Sequence, residues 1–155
     1  MYPFALTAFA FLLLHECSGQ FCPDDWTYFE GSCYLYVNEY SNWHDSKSIC
    51  ESLRSHLVEV TSDAENNFVA NMVRLHKVNN IWAGMQDFAQ DGHFVWLSSL
   101  QPPVYTHWIP GQPDDAFGGE DCLEILPTGL WNDRECDDYR SYPLCEQPSA
   151  EEPVG

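Results

Sequence analysis

The 155-residue sequence contains very few positively charged side chains. Six lysines and arginines stand against 24 aspartates and glutamates, and the formal net charge is −18 at pH 7. An electrostatic field of that sign repels phosphate backbones and anionic lipid headgroups. The composition therefore argues against nucleic acid as a partner and against binding to acidic membrane surfaces.

Several common motifs are also absent from the sequence. It has no Cys-x-x-Cys pair, which excludes a zinc knuckle and a thioredoxin-like redox site. It has no Asn-x-Ser/Thr sequon, so N-glycosylation is not expected. It has neither coiled-coil heptads nor collagen repeats. Any homo-oligomer would therefore be non-covalent and would use the surface of the domain itself.

No hydrophobic run in the sequence is long enough to span a bilayer. The apolar run at residues 4–14 is much shorter than the roughly 20 residues that a membrane helix needs. It is followed by Cys17-Ser18-Gly19, with small residues at the −3 and −1 positions of a signal-peptidase site. We predict a signal peptide at residues 1–19, and hence a secreted protein without membrane insertion; a buried N-terminal helix is the alternative. A domain over residues 20–147 and a short acidic tail at 148–155, expected to be disordered, would follow.

The number of cysteines predicts a disulfide framework. Seven cysteines are present, and six remain once Cys17 is removed with the signal peptide. An even number in a secreted chain favours complete pairing, although six cysteines allow fifteen connectivities. No thiol would be left to link two chains.

Periodic patterns predict an α+β domain, with two helices early in the chain and a mostly antiparallel sheet. Ser41 or Asn42 would cap the first helix, and Ser62 with Glu65 would form a capping box that opens the second. The buried stripe of the second helix is predicted to comprise Phe68, Val69, Met72 and Val73. A hairpin is predicted within residues 22–36, and strands at 57–60, 81–85, 94–96, 122–125, 130–132 and 142–146. Residues 98–119 form a long loop rich in proline and glycine, a feature that usually serves function.

A dense group of side-chain oxygens lies in and after this loop. Gln112-Pro113-Asp114-Asp115 is followed by Glu120-Asp121 and then by Trp131-Asn132-Asp133. Ca²⁺ prefers six to eight oxygen ligands from carboxylates, amides and water, whereas zinc and copper favour histidine and thiolate. Like charges at this density are costly unless a cation neutralises them. The segment therefore predicts a calcium site.

From Cys22 to Glu146 the chain resembles the C-type lectin domain family. The resemblance rests on the order and spacing of the cysteines, on Trp82-Ala83-Gly84-Met85, on the Gln-Pro-Asp motif at 112–114 and on Trp-Asn-Asp at 131–133. It implies a C-type lectin-like domain with a long calcium-binding loop and three disulfides, Cys22–Cys33, Cys50–Cys145 and Cys122–Cys136. The format is similar to that of secreted single-domain lectins of invertebrates.

The resemblance also implies the residues of the sites. Those that would bind both the sugar and its calcium ion are Gln112, Asp114, Glu120, Asn132 and Asp133. Those of a second, structural calcium site are Asp87, Asp91, Asp115 and Asp121, together with Glu120. Pro113 would hold the loop through a cis peptide bond, as it does in the family.

The pair Gln112 and Asp114 implies the type of sugar. Galactose-type members of the family carry Gln and Asp at these positions, whereas mannose-type members carry Glu and Asn. We therefore expect binding of galactose or N-acetylgalactosamine on cell or microbial surfaces, in innate immune recognition or agglutination. Phe117 occupies the region where galactose-type members usually place a tryptophan, and the glycine-rich extension is missing; either Phe117 stacks on the sugar or it fills the loop.

The same residues leave two other functions open. Mannose or broad specificity is the first alternative, and a calcium- or mineral-binding matrix protein with the same fold is the second. Paired carboxylates also occur in glycosidases. No nucleophile motif is present, however, and the acids are better used as calcium ligands, so we do not expect an enzyme.

Overall fold

The computed structural model describes residues 20–116 and 118–151. The predicted signal peptide, Phe117 and the last four residues lie outside the described part of the chain. The two helices are α1 (Trp43–Ser52) and α2 (Asp63–Leu75). The strands are β1 (Gln20–Phe21), β2 (Thr27–Phe29), β3 (Ser32–Tyr36), β4 (His56–Leu57), β5 (Ile81–Gln86), β6 (Val95–Trp96), β7 (Cys122–Ile125), β8 (Trp131–Arg134), β9 (Tyr142–Pro148) and β10 (Ala150–Glu151).

The strands form a mixed sheet and a separate two-stranded ladder. The sheet has the order β2-β3-β9-β5-β7-β8, while β4 pairs with β9 and β6 pairs with β5. Among the strand pairs of this sheet in the described part of the chain, β5 and β9 run parallel and the others run antiparallel. This confirms the α+β class with a mostly antiparallel sheet. The sheet also places β7 and β8, which carry the second half of the oxygen-rich segment, side by side.

Side-chain caps fix where both helices begin. Asn42 caps α1, because its Oδ1 accepts a hydrogen bond from the backbone N–H of Asp45 at 2.8 Å. Ser62 caps α2 by accepting from the N–H of Glu65 at 3.2 Å. The carboxylate of Glu65 does not return to Ser62, as a capping box requires. It accepts instead from the N–H of Thr61 at 2.7 Å and from the hydroxyl of buried Tyr34 at 2.7 Å, which draws it away from the cap.

The core is built around three fully buried tryptophans, Trp43, Trp82 and Trp131. Trp43 donates its indole N–H to the carbonyl of Ala83 at 2.9 Å, so even this polar atom is satisfied inside the core. Only glycine fits at position 84, because β5 passes close to the backbone of Leu57 there. A Cβ at that position would lie 2.6 Å from the carbonyl oxygen of Leu57, and no side chain fits there.

The three disulfides confirm the pairing that the resemblance implied: Cys22–Cys33, Cys50–Cys145 and Cys122–Cys136. The Cys50–Cys145 bridge joins α1 to β9 and closes a chain segment of 95 residues. Cross-links over long segments remove the most conformational entropy from the unfolded chain. Cys122–Cys136 joins the start of β7 to the segment after β8 and so braces the two strands of the oxygen-rich region.

Some predicted elements differ from the observed ones. The strand predicted at 57–60 is limited to His56–Leu57, although Val58 still accepts and donates backbone hydrogen bonds to its neighbours. Phe68 is only partly buried, because it stacks on the partly buried ring of Phe29 at a centroid distance of 4.4 Å. The tail was expected to be disordered, but Ala150–Glu151 pairs with Gln20–Phe21. Within the described part of the chain, no helix is long and apolar enough to cross a bilayer.

Candidate functional site

Backbone pairing with β8 brings the long loop to the Trp-Asn-Asp segment. The N–H of Trp131 donates to the carbonyl of His107, and the N–H of Ile109 donates to the carbonyl of Trp131, both at 2.9 Å. The ring of Trp108 packs edge-on against the ring of Trp131 with centroids 5.8 Å apart. The loop is therefore attached to the sheet three residues before Gln112. The Gln112–Pro113 peptide bond is cis, as the resemblance implied.

Asp133 connects the turn after Pro113 to the sheet. Its Oδ2 accepts hydrogen bonds from the backbone N–H groups of Asp114 at 2.9 Å and Asp115 at 2.8 Å. Its side chain is fully buried, and its other oxygen, Oδ1, has no hydrogen-bond partner. Buried acceptors are nearly always paired in folded proteins, so this oxygen is the atom of Asp133 that is free to bind a cation.

Asp133 is one of three carboxylates that lie close together. Asp114, Glu120 and Asp133 each offer an oxygen within 4.8 Å of the others, and we call them the three-carboxylate group. It is the one such group of acidic, histidine or cysteine side chains among residues 20–116 and 118–151. Gln112, at the start of the same turn, also has a buried carbonyl oxygen, Oε1, without a partner.

The electrostatics of this group favour a cation. Burial raises the pKa of Glu120 above its ordinary value, and the nearby Asp133 and Asp114 raise it further. The N–H of Ala116 and the guanidinium of Arg134 lower it only in part. Three acids held this close repel one another, and a bound cation would remove both the repulsion and the unpaired oxygens.

Asn132 belongs to a hydrogen-bonded network beside the three-carboxylate group. Its amide Nδ2 donates to Oε1 of Glu124 at 3.0 Å and to the backbone carbonyl of Asp133 at 2.8 Å. Arg134 joins this network to the group, with Nε 3.2 Å from Glu124 Oε1 and Nη1 3.5 Å from Glu120 Oε1. The sequence patterns did not predict a role for Glu124 or Arg134 at this site. The signal was available, since Glu124 is a charged residue within the apolar strand Cys-Leu-Glu-Ile.

The acids predicted for a second calcium site lie partly apart. Asp87 is buried; its Oδ2 accepts from the N–H of Gly92 at 2.6 Å, and its Oδ1 has no partner. Burial raises the pKa of Asp87 to about 6, and the neighbouring Asp121 contributes to the rise. Asp91 is exposed. Asp115 accepts from the N–H of Glu120 at 3.0 Å within its own turn. The described residues therefore do not gather these acids as tightly as the three-carboxylate group.

Comparisons with known proteins identify the fold and the family. The family model described as "Lectin C-type domain" matches residues 39–147. "C-type lectin domain family 4 member M" of Gorilla gorilla gorilla is 37% identical over 131 residues, which cover 83% of this chain and 34% of that protein. "Hepatic lectin" of Gallus gallus is 35% identical over 137 residues, which cover 88% of this chain and 63% of that protein. The chain thus spans about a third of the first relative and less than two thirds of the second.

Solved structures agree with this result. The carbohydrate-recognition domain of mouse scavenger receptor C-type lectin superimposes with a TM-score of 0.75 at 33% identity, covering 83% of this chain and 99% of that one. The C-type lectin CEL-I from Cucumaria echinata superimposes with a TM-score of 0.76 at 30% identity, covering 84% and 99%. Domains of this family generally bind carbohydrate without catalysis and generally bind calcium. The chain belongs to the C-type lectin domain family.

Proposed function

We propose that this protein is a secreted, calcium-dependent lectin for glycans that contain galactose or N-acetylgalactosamine. The observation that carries the proposal is the pair of buried, unpartnered oxygens, Gln112 Oε1 and Asp133 Oδ1, beside three converging carboxylates. Leaving a buried acceptor unpaired costs about 1–3 kcal/mol each. A ligand that accepts electron pairs from these oxygens would offset that cost.

The donor set fits calcium. Gln112, Asp114, Glu120, Asn132 and Asp133 offer only carboxylate and amide oxygens. Such hard ligands suit Ca²⁺ and do not suit zinc or copper. When bound, Ca²⁺ would offer open coordination positions to two neighbouring hydroxyls of a sugar. Asp114 is exposed while Asp133 is fully buried, so the group has a solvent side and a protein side.

The side chains of this site would also bond to the sugar. Carboxylates only accept hydrogen bonds, whereas an amide both donates and accepts. Exchanging Gln112 and Asp114 for Glu and Asn would reverse the positions of donor and acceptor around the sugar. Galactose has an axial 4-hydroxyl and mannose an equatorial one, so each arrangement suits one of them. The pair in this chain is the galactose-type pair of the family.

A structural calcium ion at Asp87, Asp91, Asp115 and Asp121, shared with Glu120, is the second part of the proposal. Its support is the unpartnered Oδ1 of buried Asp87, next to Asp121. This ion would neutralise the acids that flank the loop and so order the turn that carries Gln112 and Asp114. A carbohydrate role for Phe117 stays a prediction, since that residue lies outside the described part of the chain.

Three disulfides support secretion, because such bonds persist in oxidising compartments. The proposed ligands are glycans on cell or microbial surfaces, with a role in innate immune recognition or agglutination. One sugar site binds weakly, so a non-covalent homo-oligomer would supply avidity. The similarity to single-domain lectins of invertebrates stays a prediction.

The proposal is tested by calorimetry and affinity chromatography on the purified disulfide-bonded protein. We expect heat on titration with CaCl₂, retention on immobilised galactose in Ca²⁺, and elution by EDTA. Absence of any calcium-dependent heat or change in melting temperature would overturn the proposal. Calcium binding with retention only on immobilised mannose would overturn the galactose assignment and favour the mannose-type alternative.

A further inference from the structure

Glu124 is a buried carboxylate that is not one of the proposed calcium ligands. It lies in β7, all four residues of which are buried, and its exposed fraction is 3%. Its register partner across the antiparallel β7–β8 pair is Asn132. Directly opposed residues on neighbouring strands place their side chains on the same face of a sheet. A charged side chain in this apolar strand therefore lies beside a proposed calcium ligand.

Every oxygen of Glu124 has a protein donor. Oε1 accepts from Nδ2 of Asn132 at 3.0 Å and from Nε of Arg134 at 3.2 Å. Oε2 accepts a very short hydrogen bond from Nδ2 of Asn80. Asn80 is itself fixed, because the hydroxyl of Ser141 donates to its Oδ1 at 3.0 Å. The carboxylate is thus held in one orientation.

This arrangement determines which atom of Asn132 remains available. One N–H of its amide donates a hydrogen bond to Glu124, and the other donates to the backbone carbonyl of Asp133 at 2.8 Å. If the amide were flipped, its oxygen would lie against the negatively charged Glu124. Carboxylates accept hydrogen bonds and cannot donate them when ionised, so the flipped state is excluded. The amide oxygen of Asn132 is the atom left to face a ligand.

We infer that Glu124 is a positioning residue, which locks the amide of Asn132 with its oxygen directed to the cation. The inference rests on the proposed function, since it needs calcium at the site of Asn132. Groups that hydrogen-bond to metal ligands orient them, and their removal commonly weakens metal binding about 10- to 100-fold. Glu124 would act in this way without contacting the ion.

The first experiment separates orientation from charge. Titration with CaCl₂ alone would be followed by calorimetry for wild type, Glu124→Gln, Glu124→Leu and Glu135→Gln. Glu124→Gln keeps an acceptor for Asn132 in its Oε1, and it removes only the charge and the hydrogen bond from Asn80. We expect a change within about threefold for Glu124→Gln and about tenfold or greater weakening for Glu124→Leu. Glu135→Gln removes a charge from the same acidic stretch, and we expect it to stay within about threefold.

The second experiment reverses the hydrogen bond and needs no apolar variant. Asn132→Asp places two carboxylates face to face across the strands, so we expect weaker calcium binding despite the added charge. Adding Glu124→Gln supplies a donor for the new carboxylate, and we expect affinity to return to within about threefold of wild type. The melting temperature in EDTA would be measured for every variant, and side-chain amide signals in ¹⁵N NMR would report the environment of Asn132.

The outcomes separate this inference from the proposed function. If wild type takes up no calcium, both fail. If wild type binds calcium but Glu124→Leu binds it equally well, only the inference fails. Equal losses in Glu124→Gln and Glu124→Leu would assign the effect to charge and would also overturn it. If Asn132→Asp/Glu124→Gln does not regain calcium affinity, the inference is also overturned. This outcome holds even if Glu124→Leu does not fold.

Discussion

Glu135 and the three-carboxylate group both lie in the acid-rich stretch after residue 112, but their surroundings are opposite. In the turn after β8, the carboxylate of Glu135 accepts from the backbone N–H groups of Asp137 at 2.7 Å, Asp138 at 2.6 Å and Tyr139 at 3.0 Å. Burial acts to raise the pKa of Glu135, but these three donors outweigh it and lower the pKa. In the three-carboxylate group, burial raises the pKa of Glu120 and Asp133 Oδ1 lacks a donor.

The difference separates an acid whose charge the fold itself compensates from acids that the fold leaves partly without donors. Glu135 receives its donors from the turn that it closes, so its negative charge is already compensated. The three-carboxylate group is held in place by the backbone, yet the protein provides too few donors for its charges. Acidity alone is therefore a weaker argument for a metal site than a shortage of protein donors, which is the basis of the proposal made above.

The largest expected effect is the loss of calcium affinity when one charge is removed from the three-carboxylate group. The matched change at Glu135 is its control. Asp133→Asn should weaken calcium binding at least about 100-fold, because Asp133 supplies the buried unpaired oxygen and holds the turn. Glu135→Gln should leave calcium affinity within about threefold. Calorimetry with CaCl₂ measures both. Similar losses in the two variants would mean that overall charge matters and that donor supply does not.

Acidification should weaken calcium binding at least about tenfold between pH 7 and pH 5. Protons compete with calcium for carboxylates, and the raised pKa of Glu120 lets that competition begin at a higher pH than for an ordinary glutamate. Retention on immobilised galactose should fall in parallel. Calcium affinity that stays constant over this range would contradict a carboxylate-based site.

Exchange of the two specificity residues should change the sugar and leave the metal bound. In Gln112→Glu/Asp114→Asn, the ratio of galactose to mannose affinity should fall about tenfold, since each misplaced donor or acceptor costs about 1–3 kcal/mol. Calorimetry with the two monosaccharides in excess Ca²⁺ measures the ratio. An unchanged ratio, with calcium affinity retained, would show that other residues choose the sugar.

The stability of the calcium-free protein should respond to pH with opposite signs at Asp87 and Glu135. The folded-state pKa of Asp87 is raised to about 6, so its contribution is full below its ordinary pKa and is lost as the pH rises through 6. Asp87→Asn should therefore increase the free energy of unfolding at pH 7 by about 1–3 kcal/mol, with little change at pH 4. Thermal melts in EDTA measure this difference.

The smallest effect is expected at Glu135. Its folded-state pKa is lowered, so its contribution is present above its ordinary pKa and is lost as the pH falls through the lowered value. Glu135→Gln should reduce the free energy of unfolding at pH 7 by about 0.5–1.5 kcal/mol. A variant as stable as wild type at pH 7 would contradict a structural role for this carboxylate.

Local features of the sequence predicted local features of the structure well. The cap at Asn42 and the cap at Ser62 need only a few neighbouring residues, and both were found where the sequence indicates them. The disulfides and the cis bond before Pro113 agree with the family pattern. The spacing of the six cysteines alone left fifteen connectivities open, and the family resemblance indicated which of them forms.

Features that depend on distant partners were not predicted. The carboxylate of Glu65 bonds to Tyr34, 31 residues away, and this contact decides against a closed capping box. The role of Glu124 depends on the β7–β8 register, and its tether Asn80 lies 44 residues earlier in the chain. A charged residue inside an apolar strand signals that some partner exists, but only the assembled sheet identifies which one.

The pairing of β1 with β10 has a consequence for engineering. Gln20 and Glu151 are register partners, so the two ends of the described domain lie on adjacent strands. Neighbouring strands are about 4.8 Å apart, a gap that a few glycines can bridge. A circular permutant that joins these ends and opens the chain in the turn between β2 and β3 should preserve the rest of the sheet. Such a rearranged chain would give two new attachment points for a fluorescent reporter while the original ends are closed.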